Sequence, residues 1–335
     1  MDATALYAQA CTREDALAGF YNRNVRMEGD SGPVLVRIPG SRAEPMDLTL
    51  WSEPDVLRAI HPYVSRAPRL LHADGRGRFQ IHEFVEGRRV DELAQDGKPL
   101  PDAVLDGVER LFREMLRVPL SALPDVPTDW PADGDTPAFA RRLLALVSDV
   151  RGRADAALEG LYTALGVPSD PCGPLAERAG RELAERPFRL LHADIHRKNM
   201  ILTEQAQVTF LDWELALWGD PVYDLADHLH KTSYTAVDRQ RVVAGWERGA
   251  PPECRRDRRA GLAFYLSYEE MKSAVVDTVR WGHRIADAAA AGQRRRLAEE
   301  LRAKLVTASP HWDGGPPPMA ADIEDAATAW LGSTG

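Results

Sequence analysis

The pattern of apolar positions along the 335 residues changes character near residue 90. Before that point short apolar runs are broken by turn residues, and after it apolar residues recur every three to four positions over long windows. The stretch 19–27 leads through Gly29-Asp30-Ser31-Gly32 into Pro33-Val34-Leu35-Val36-Arg37-Ile38, which predicts two strands joined by a tight turn. Residues 68–72 and 79–87, separated by Asp74-Gly75-Arg76-Gly77, predict a second hairpin. Between the hairpins, Val56, Leu57 and Ile60 mark an amphipathic helix, with Pro54 in its first turn, where no N–H is needed. Farther on, Val104, Leu105, Val108, Leu111, Phe112, Met115 and Leu116 keep the helical period, as do patterns across 139–165, 175–185, 260–283 and 323–331. Segments 119–135 and 314–318, rich in Pro, Asp and Gly, read as a loop and a linker.

One stretch breaks this helical run. His192-Ala193-Asp194-Ile195-His196-Arg197-Lys198-Asn199 is followed by two short apolar runs, Met200-Ile201-Leu202 and Val208-Thr209-Phe210-Leu211, and then by Asp212-Trp213-Glu214. Phosphoryl transfer asks a protein for a carboxylate that orients and deprotonates an acceptor hydroxyl, and for oxygen ligands that hold Mg2+ against nucleotide phosphates. An H-x-D-x-x-x-x-N loop, a hairpin and a strand-end acid form the kinase-type version of that arrangement. Asp194 is therefore the candidate base, and Asn199 and Asp212 are the candidate metal ligands. A zinc hydrolase built on His192 and His196 lacks a further ligand and leaves Asn199 and Asp212 without a role. Asp220, before Pro221, and Asp224, ahead of an expected helix over 225–231, read as a cap or a loop brace. Glu214 stays open between a metal-side acid and a solvated one.

With Gly219-Asp220-Pro221 and Tyr223-Asp224-Leu225-Ala226 in place of a protein kinase's D-F-G continuation, the joint pattern resembles the aminoglycoside phosphotransferase and choline kinase-like family of small-molecule kinases. That resemblance implies an α+β, bilobal protein-kinase-like fold. A small antiparallel-sheet N-lobe with one helix would span residues 1–83, a hinge 84–88, and a large, mostly helical C-lobe 89–335. It also implies Mg2+, ATP or GTP as phosphoryl donor, and a small hydroxylated acceptor: an antibiotic first, a choline-like, sugar or amino-acid metabolite second. The first hairpin would cover the phosphates, with Gly19 the remnant of a glycine-rich loop and Asn22 and Asn24 at its tip. Arg37 stands where a phosphate-contacting lysine is usual; a guanidinium binds phosphate oxygens bidentately and keeps its charge when partly buried. Glu53 is its expected partner. Backbone groups of Glu83, Phe84 and Val85 would meet the purine edge, and Glu269, Glu270 and Asp277 are the acceptor-contact candidates. A scaffold that binds nucleotide without catalysis is expected to lack one of Asp194, Asn199 and Asp212, and all three are present.

Charge and cysteine content narrow the partners. A formal net charge of -9 argues against nucleic acid and mildly favours a cationic substrate. Cys11, Cys172 and Cys254 are odd in number and far apart, which points away from a disulfide framework or a zinc ribbon. Neither a signal-like start nor a membrane-length apolar window is visible, so a cytoplasmic protein without a membrane partner is expected. Oligomeric state leaves no sequence signature here.

Overall fold

A computed structural model describes residues 2–16, 22–40, 48–312 and 315–332; Gly19, Phe20, Tyr21 and Gly314 lie outside them. The chain groups into two compact units, each discontinuous in sequence: residues 1–129 with 188–255, and residues 130–187 with 256–335.

The first unit opens with α1 (Ala3–Thr12), capped by Asp2, whose side chain accepts the Ala5 N–H. Strands β1 (Asn22–Gly29) and β2 (Gly32–Pro39) form the expected hairpin, α2 (Glu53–Ile60) follows, and β3 (Leu70–Ala73) with β4 (Gln80–Glu83) completes an antiparallel sheet in the order β1-β2-β4-β3. Period-two alternation sends Val25, Met27, Val34, Val36 and Ile81 to one face, where Phe79 and the α1 residues Leu6 and Ala10 join them in an apolar layer. Ser52 caps α2 through the Asp55 N–H, and Val56, Leu57 and Ile60 are buried, as their spacing predicts. The ladder sets Arg37 of β2 opposite Asn24 on one side and Gln80 on the other.

At Gly87 the backbone has φ 154°, and a Cβ there would lie 2.5 Å from the Leu202 carbonyl oxygen, so only glycine fits where the chain leaves the sheet. Strand β5 (Arg88–Arg89), the single turn α3 (Val90–Leu93) and α4 (Asp102–Met115) come next. Helices α5 (Thr136–Gly152), α6 (Ala156–Ala164) and α7 (Gly173–Glu182) belong to the second unit. Back in the first, β6 (Arg189–Leu191) and β7 (Met200–Leu202) bracket the 192–199 loop; β7 pairs with β5 and β8 (Val208–Phe210), and β6 pairs with β9 (Leu217–Gly219). Helices α8 (Pro221–Thr232) and α9 (Ala236–Gly249) complete the helical part of this unit.

Helix α8 starts four residues earlier than expected, because Asp220 caps it by accepting the Val222 N–H and Pro221 fills the first turn. Asp224 is therefore inside the helix and is no cap, although it does brace the loop. The second unit closes with α10 (Arg258–Asp287), α11 (Ala291–Ala308) and α12 (Ala320–Gly332). Two of its buried tyrosines donate internally: Tyr162 to the Val275 carbonyl at 3.1 Å and Tyr268 to the Leu143 carbonyl at 3.3 Å. Among the described residues no helix is long and apolar enough to cross a membrane. Among the described residues Cys11, Cys172 and Cys254 form no disulfide.

Candidate active site

Loop 192–199 is held in a backbone shape that it would not adopt alone. Ala193 has φ 60°, in the left-handed region that a non-glycine residue enters at a cost of about 1–3 kcal/mol. Its restraint comes from α8: the Asp224 carboxylate accepts the N–H of His192 at 3.1 Å and of Ala193 at 2.8 Å. Burial pushes the Asp224 pKa up to about 7, with those two bonds working in the opposite direction. His192 donates through Nε2 to the Leu211 carbonyl at 3.1 Å and packs on the Trp213 ring at 4.4 Å. Buried and lowered to a pKa of about 4, it is neutral, and its Nδ1 has no hydrogen-bond partner among the described residues. It braces the loop against the strand end and is not placed as a zinc ligand. Arg197, buried, donates to the carbonyls of Thr232 at 2.8 Å, Ala94 at 2.9 Å and Gln95 at 2.8 Å, tying the loop to the end of α8 and to the residues after α3.

These restraints present Asp194 with both oxygens engaged. Asn199 Nδ2 donates to Oδ2 at 2.8 Å, and the Lys231 ammonium lies 2.8 Å from Oδ1. Burial raises the Asp194 pKa, but Lys231 and then His196 outweigh it and hold the carboxyl well below the usual carboxylate range. Asn199 spends its amide nitrogen on Asp194, which leaves its side-chain oxygen as the atom able to ligate a cation. The Asn199 backbone carbonyl accepts the Leu211 N–H at 2.8 Å, so the loop and the strand end carrying Asp212 are joined directly. Asp212 is also left-handed, with φ 69°.

At the sheet end, Arg37 is the centre. Its Nε lies 3.1 Å from Glu53 Oε2, its Nη2 donates to Asp212, and the same Nη2 donates to Glu214 at 2.9 Å. Glu53 also accepts the Trp213 N–H at 3.0 Å, and Asn22 donates to Glu214 at 2.9 Å. Burial works against the Arg37 charge, yet Glu53, Asp212 and Glu214 together raise its pKa. For Glu53, burial outweighs Arg37 and moves the pKa up; burial and then Asp212 do the same for Glu214. The Arg37–Glu53 pair expected from the sequence is formed, and Glu214 joins it as a member of the cluster.

Two expectations are adjusted. Asn22 and Asn24 do not occupy a loop tip, because both lie in β1, laddered to Pro39 and Arg37, and the hairpin tip is Asp30-Ser31. The Glu83 N–H already donates to Arg69 at 2.9 Å and the Phe84 N–H to Pro33 at 3.2 Å, so a purine edge cannot use those two donors, which leaves Val85. Glu269, Glu270 and Asp277 belong to the second unit, where Lys272 at 2.7 Å, His311 at 2.6 Å and Lys304 at 2.9 Å pair with them. A cavity of about 680 Å3 lies beside the Arg37 cluster, lined by Trp51, Glu53, Phe79 and Glu214 among others, and does not include Asp194.

Among the described residues no group of three or more His, Cys, Asp or Glu side chains is poised to hold a metal. Mg2+ does not ask for one, since it is bound through one or two carboxylates with substrate phosphates and waters completing the shell. Asp212 with the Asn199 oxygen fits that donor set.

The model of the Phosphotransferase enzyme family matches residues 13–263, and the chain belongs to that family. No curated protein matches it. Among solved structures, a choline/ethanolamine kinase family protein from Mesorhizobium loti is 14% identical with a TM-score of 0.58, over 98% of this chain and 100% of that one. Choline kinase LicA from Streptococcus pneumoniae is 13% identical with a TM-score of 0.54, over 87% and 92%. A thermostable mutant of aminoglycoside phosphotransferase APH(4)-Ia, in ternary complex with ADP and hygromycin B, is 15% identical with a TM-score of 0.52, over 91% and 97%. At these identities the likeness establishes the fold, which is protein-kinase-like, with a small antiparallel sheet and a large helical part.

Proposed function

We propose that this phosphotransferase moves the γ-phosphoryl of ATP or GTP to a hydroxyl of a small molecule in an Mg2+-dependent reaction. The observation that carries the proposal is the unbroken line of contacts from Asp194 through Asn199 and Leu211 to Asp212 and on to Arg37 and Glu53. The hydroxyl oxygen attacks the γ-phosphorus, the bond from that phosphorus to the β,γ-bridging oxygen breaks, and the nucleoside diphosphate leaves with the electron pair. The hydroxyl proton passes to Asp194. A carboxylate held this acidic is a weak base, which suits a loose transition state in which orientation of the hydroxyl matters before its proton leaves. Asn199 and Asp212 would hold Mg2+, which when bound offsets charge on the phosphate oxygens. Arg37, kept charged by its acids, would meet the same phosphates, with Asn22 and Asn24 on the neighbouring strand and the carbonyls of residues 83–85 at the purine.

For the acceptor we propose an antibiotic, supported by the hygromycin B complex of the aminoglycoside phosphotransferase relative. A choline-like alcohol is the second reading, favoured by the choline and ethanolamine kinases of the same fold.

The test is thermal stabilisation by ATP and GTP, with and without Mg2+, followed by incubation with hygromycin B, choline, ethanolamine and further hydroxylated compounds. Stabilisation that needs both nucleotide and Mg2+, and a product heavier by one phosphoryl group, are expected. Indifference to nucleotide, or stabilisation without any transfer to acceptor or water, would overturn the proposal.

A further inference from the structure

Lys231, in the last turn of α8, is placed beyond what a structural lysine requires. A lysine near a helix C-terminus is commonly explained by the helix dipole and an ion pair one turn back, and Asp227, fully buried, supplies that pair at 2.9 Å. The same ammonium also lies 2.8 Å from Asp194 Oδ1 and donates to the Ala193 carbonyl at 3.1 Å. The ammonium thus donates to the candidate base and to the strained residue just before it, with a buried acid as its ion-pair anchor. The Lys231 side chain is 22% exposed and that of Asp194 19% exposed, so both border open space.

An ionised carboxylate has about four lone-pair sites on its two oxygens. Asn199 takes one on Oδ2 and Lys231 one on Oδ1, and His196 Nε2 stands 3.5 Å from Oδ2, so rotation of the carboxylate breaks a charge-assisted bond whichever way it turns. We propose that Lys231 is a positioning residue for phosphoryl transfer: anchored by Asp227, it clamps the Asp194 carboxylate against Asn199 so that the remaining lone pairs face the acceptor hydroxyl. This rests on Asp194 being the acceptor-facing carboxylate, as under the proposed function. Without the clamp, a small rotation suffices to misplace the hydroxyl, and misplacement on the scale of 1 Å costs roughly 10²-fold in rate.

The test is a double-mutant cycle of Lys231→Met and Asp194→Asn, with phosphate release from ATP and Mg2+ to water as the assay and any compound the wild type phosphorylates as a second acceptor. Lys231→Met is expected to lose roughly 10²-fold in kcat while nucleotide KM changes little, and Lys231→Arg to recover part of the loss. Because Lys231 acts through Asp194, the double variant should be no slower than Asp194→Asn alone. Independent contact of Lys231 with the transferred group would instead multiply the two losses to roughly 10⁴-fold and overturn the proposal. Since Lys231→Met leaves Asp227 buried without its cation, Lys231→Met with Asp227→Asn is the companion that preserves folding. Crystal structures of Lys231→Met and Lys231→Arg give a readout independent of turnover. A rotated or disordered Asp194 carboxylate in the first, restored in the second, supports the clamp; an unmoved Asp194 in Lys231→Met overturns it. An enzyme that transfers nothing but shows the rotated carboxylate would refute the proposed function while leaving the clamp standing.

Discussion

At the loop end of the site Asp194 is matched by Lys231 and Asn199, and Asp224 by two backbone amides, whereas at the sheet end Glu53, Asp212 and Glu214 converge on the single guanidinium of Arg37. The first is closed by hydrogen bonds within the chain, although Asp194 and the buried Asp227 share the single ammonium of Lys231 and burial raises the Asp224 pKa as well. In the second, three carboxylates against one guanidinium leave two negative charges if all ionise; burial first, and then the neighbouring carboxylates, push Glu53 and Glu214 upward. A divalent cation would balance those two charges. Orientation of the Asp194 carboxylate is thus built into the chain, while the acid-rich sheet end is left to be balanced by what binds there.

The largest effect should come from taking away the anion that this comparison assigns to the metal. Asp212→Ala is expected to cut transfer roughly 10³-fold, the loss of several kcal/mol of electrostatic stabilisation, and to raise the Mg2+ concentration needed for half-maximal rate. Asn199→Ala should shift the Mg2+ requirement less, because a neutral ligand contributes less charge. Magnesium titrations of both variants decide this, and an unaltered requirement in each would remove the metal from the sheet end.

Asp194→Asn comes next, since it keeps the shape at the loop end and removes the charge. Turnover should fall by roughly 10²-fold or more, the scale of a lost general base, with nucleotide and Mg2+ binding by calorimetry retained. Binding lost together with turnover would mean that Asp194 serves the phosphate side and that the two ends are not separable.

A smaller loss is expected from Arg37→Met. Apparent nucleotide affinity should drop by about tenfold, one charge-assisted contact's worth, and the melting temperature should fall because Glu53 loses its cation in a buried place. Glu53→Gln should weaken nucleotide use less, as it removes an acid from a cluster that already has too many. Equal effects of the two variants would contradict an acid-rich sheet end.

The division of labour between the two ends was only half legible in the sequence. Asp194, Asn199 and Asp212 stand at fixed spacing inside thirty residues of chain, and Arg37 and Glu53 follow from strand and helix signals that the structure reproduces. What braces the loop did not show. Asp224 and Lys231 reach back 31 and 38 residues to Ala193, and Arg197 reaches carbonyls on two separate segments. Contacts of this kind carry no periodicity, and a lysine at a helix end looks like any solvated one. The start of α8 was readable from Asp220-Pro221, a cap followed by proline, but the apolar run beginning at Leu225 drew the boundary inward. The grouping of 130–187 with 256–335 left no mark either, because helical period reports which face is buried and not which partner buries it.

The smallest change at neutral pH is expected from His228→Gln, which probes the loop end alone. His228 sits in α8, buried, with Nδ1 donating to the Ile195 carbonyl at 2.9 Å and Nε2 accepting from the Tyr234 hydroxyl at 2.7 Å. Protonation would reverse that bond, with the hydroxyl oxygen accepting, and would place a charge in a buried site. Burial lowers its pKa to about 4, while the unfolded chain takes up the proton near pH 6.5. Between those values the unfolded state binds more protons than the native one, so stability rises with pH in this window. The contribution is full above about pH 6.5 and is lost as pH falls towards 4, with a ceiling of about 3 kcal/mol for one such group. His192, lowered in the same way, acts with the same sign, so the wild type should retain part of the slope when His228 is replaced. Glutamine keeps a donor and an acceptor without titrating, so His228→Gln should match the wild type near pH 7 and lose less stability than it does on acidification to pH 4.5. Denaturant midpoints at the two pH values measure the difference, and parallel pH dependence of the two proteins would mean that α8 does not brace the loop through a neutral imidazole.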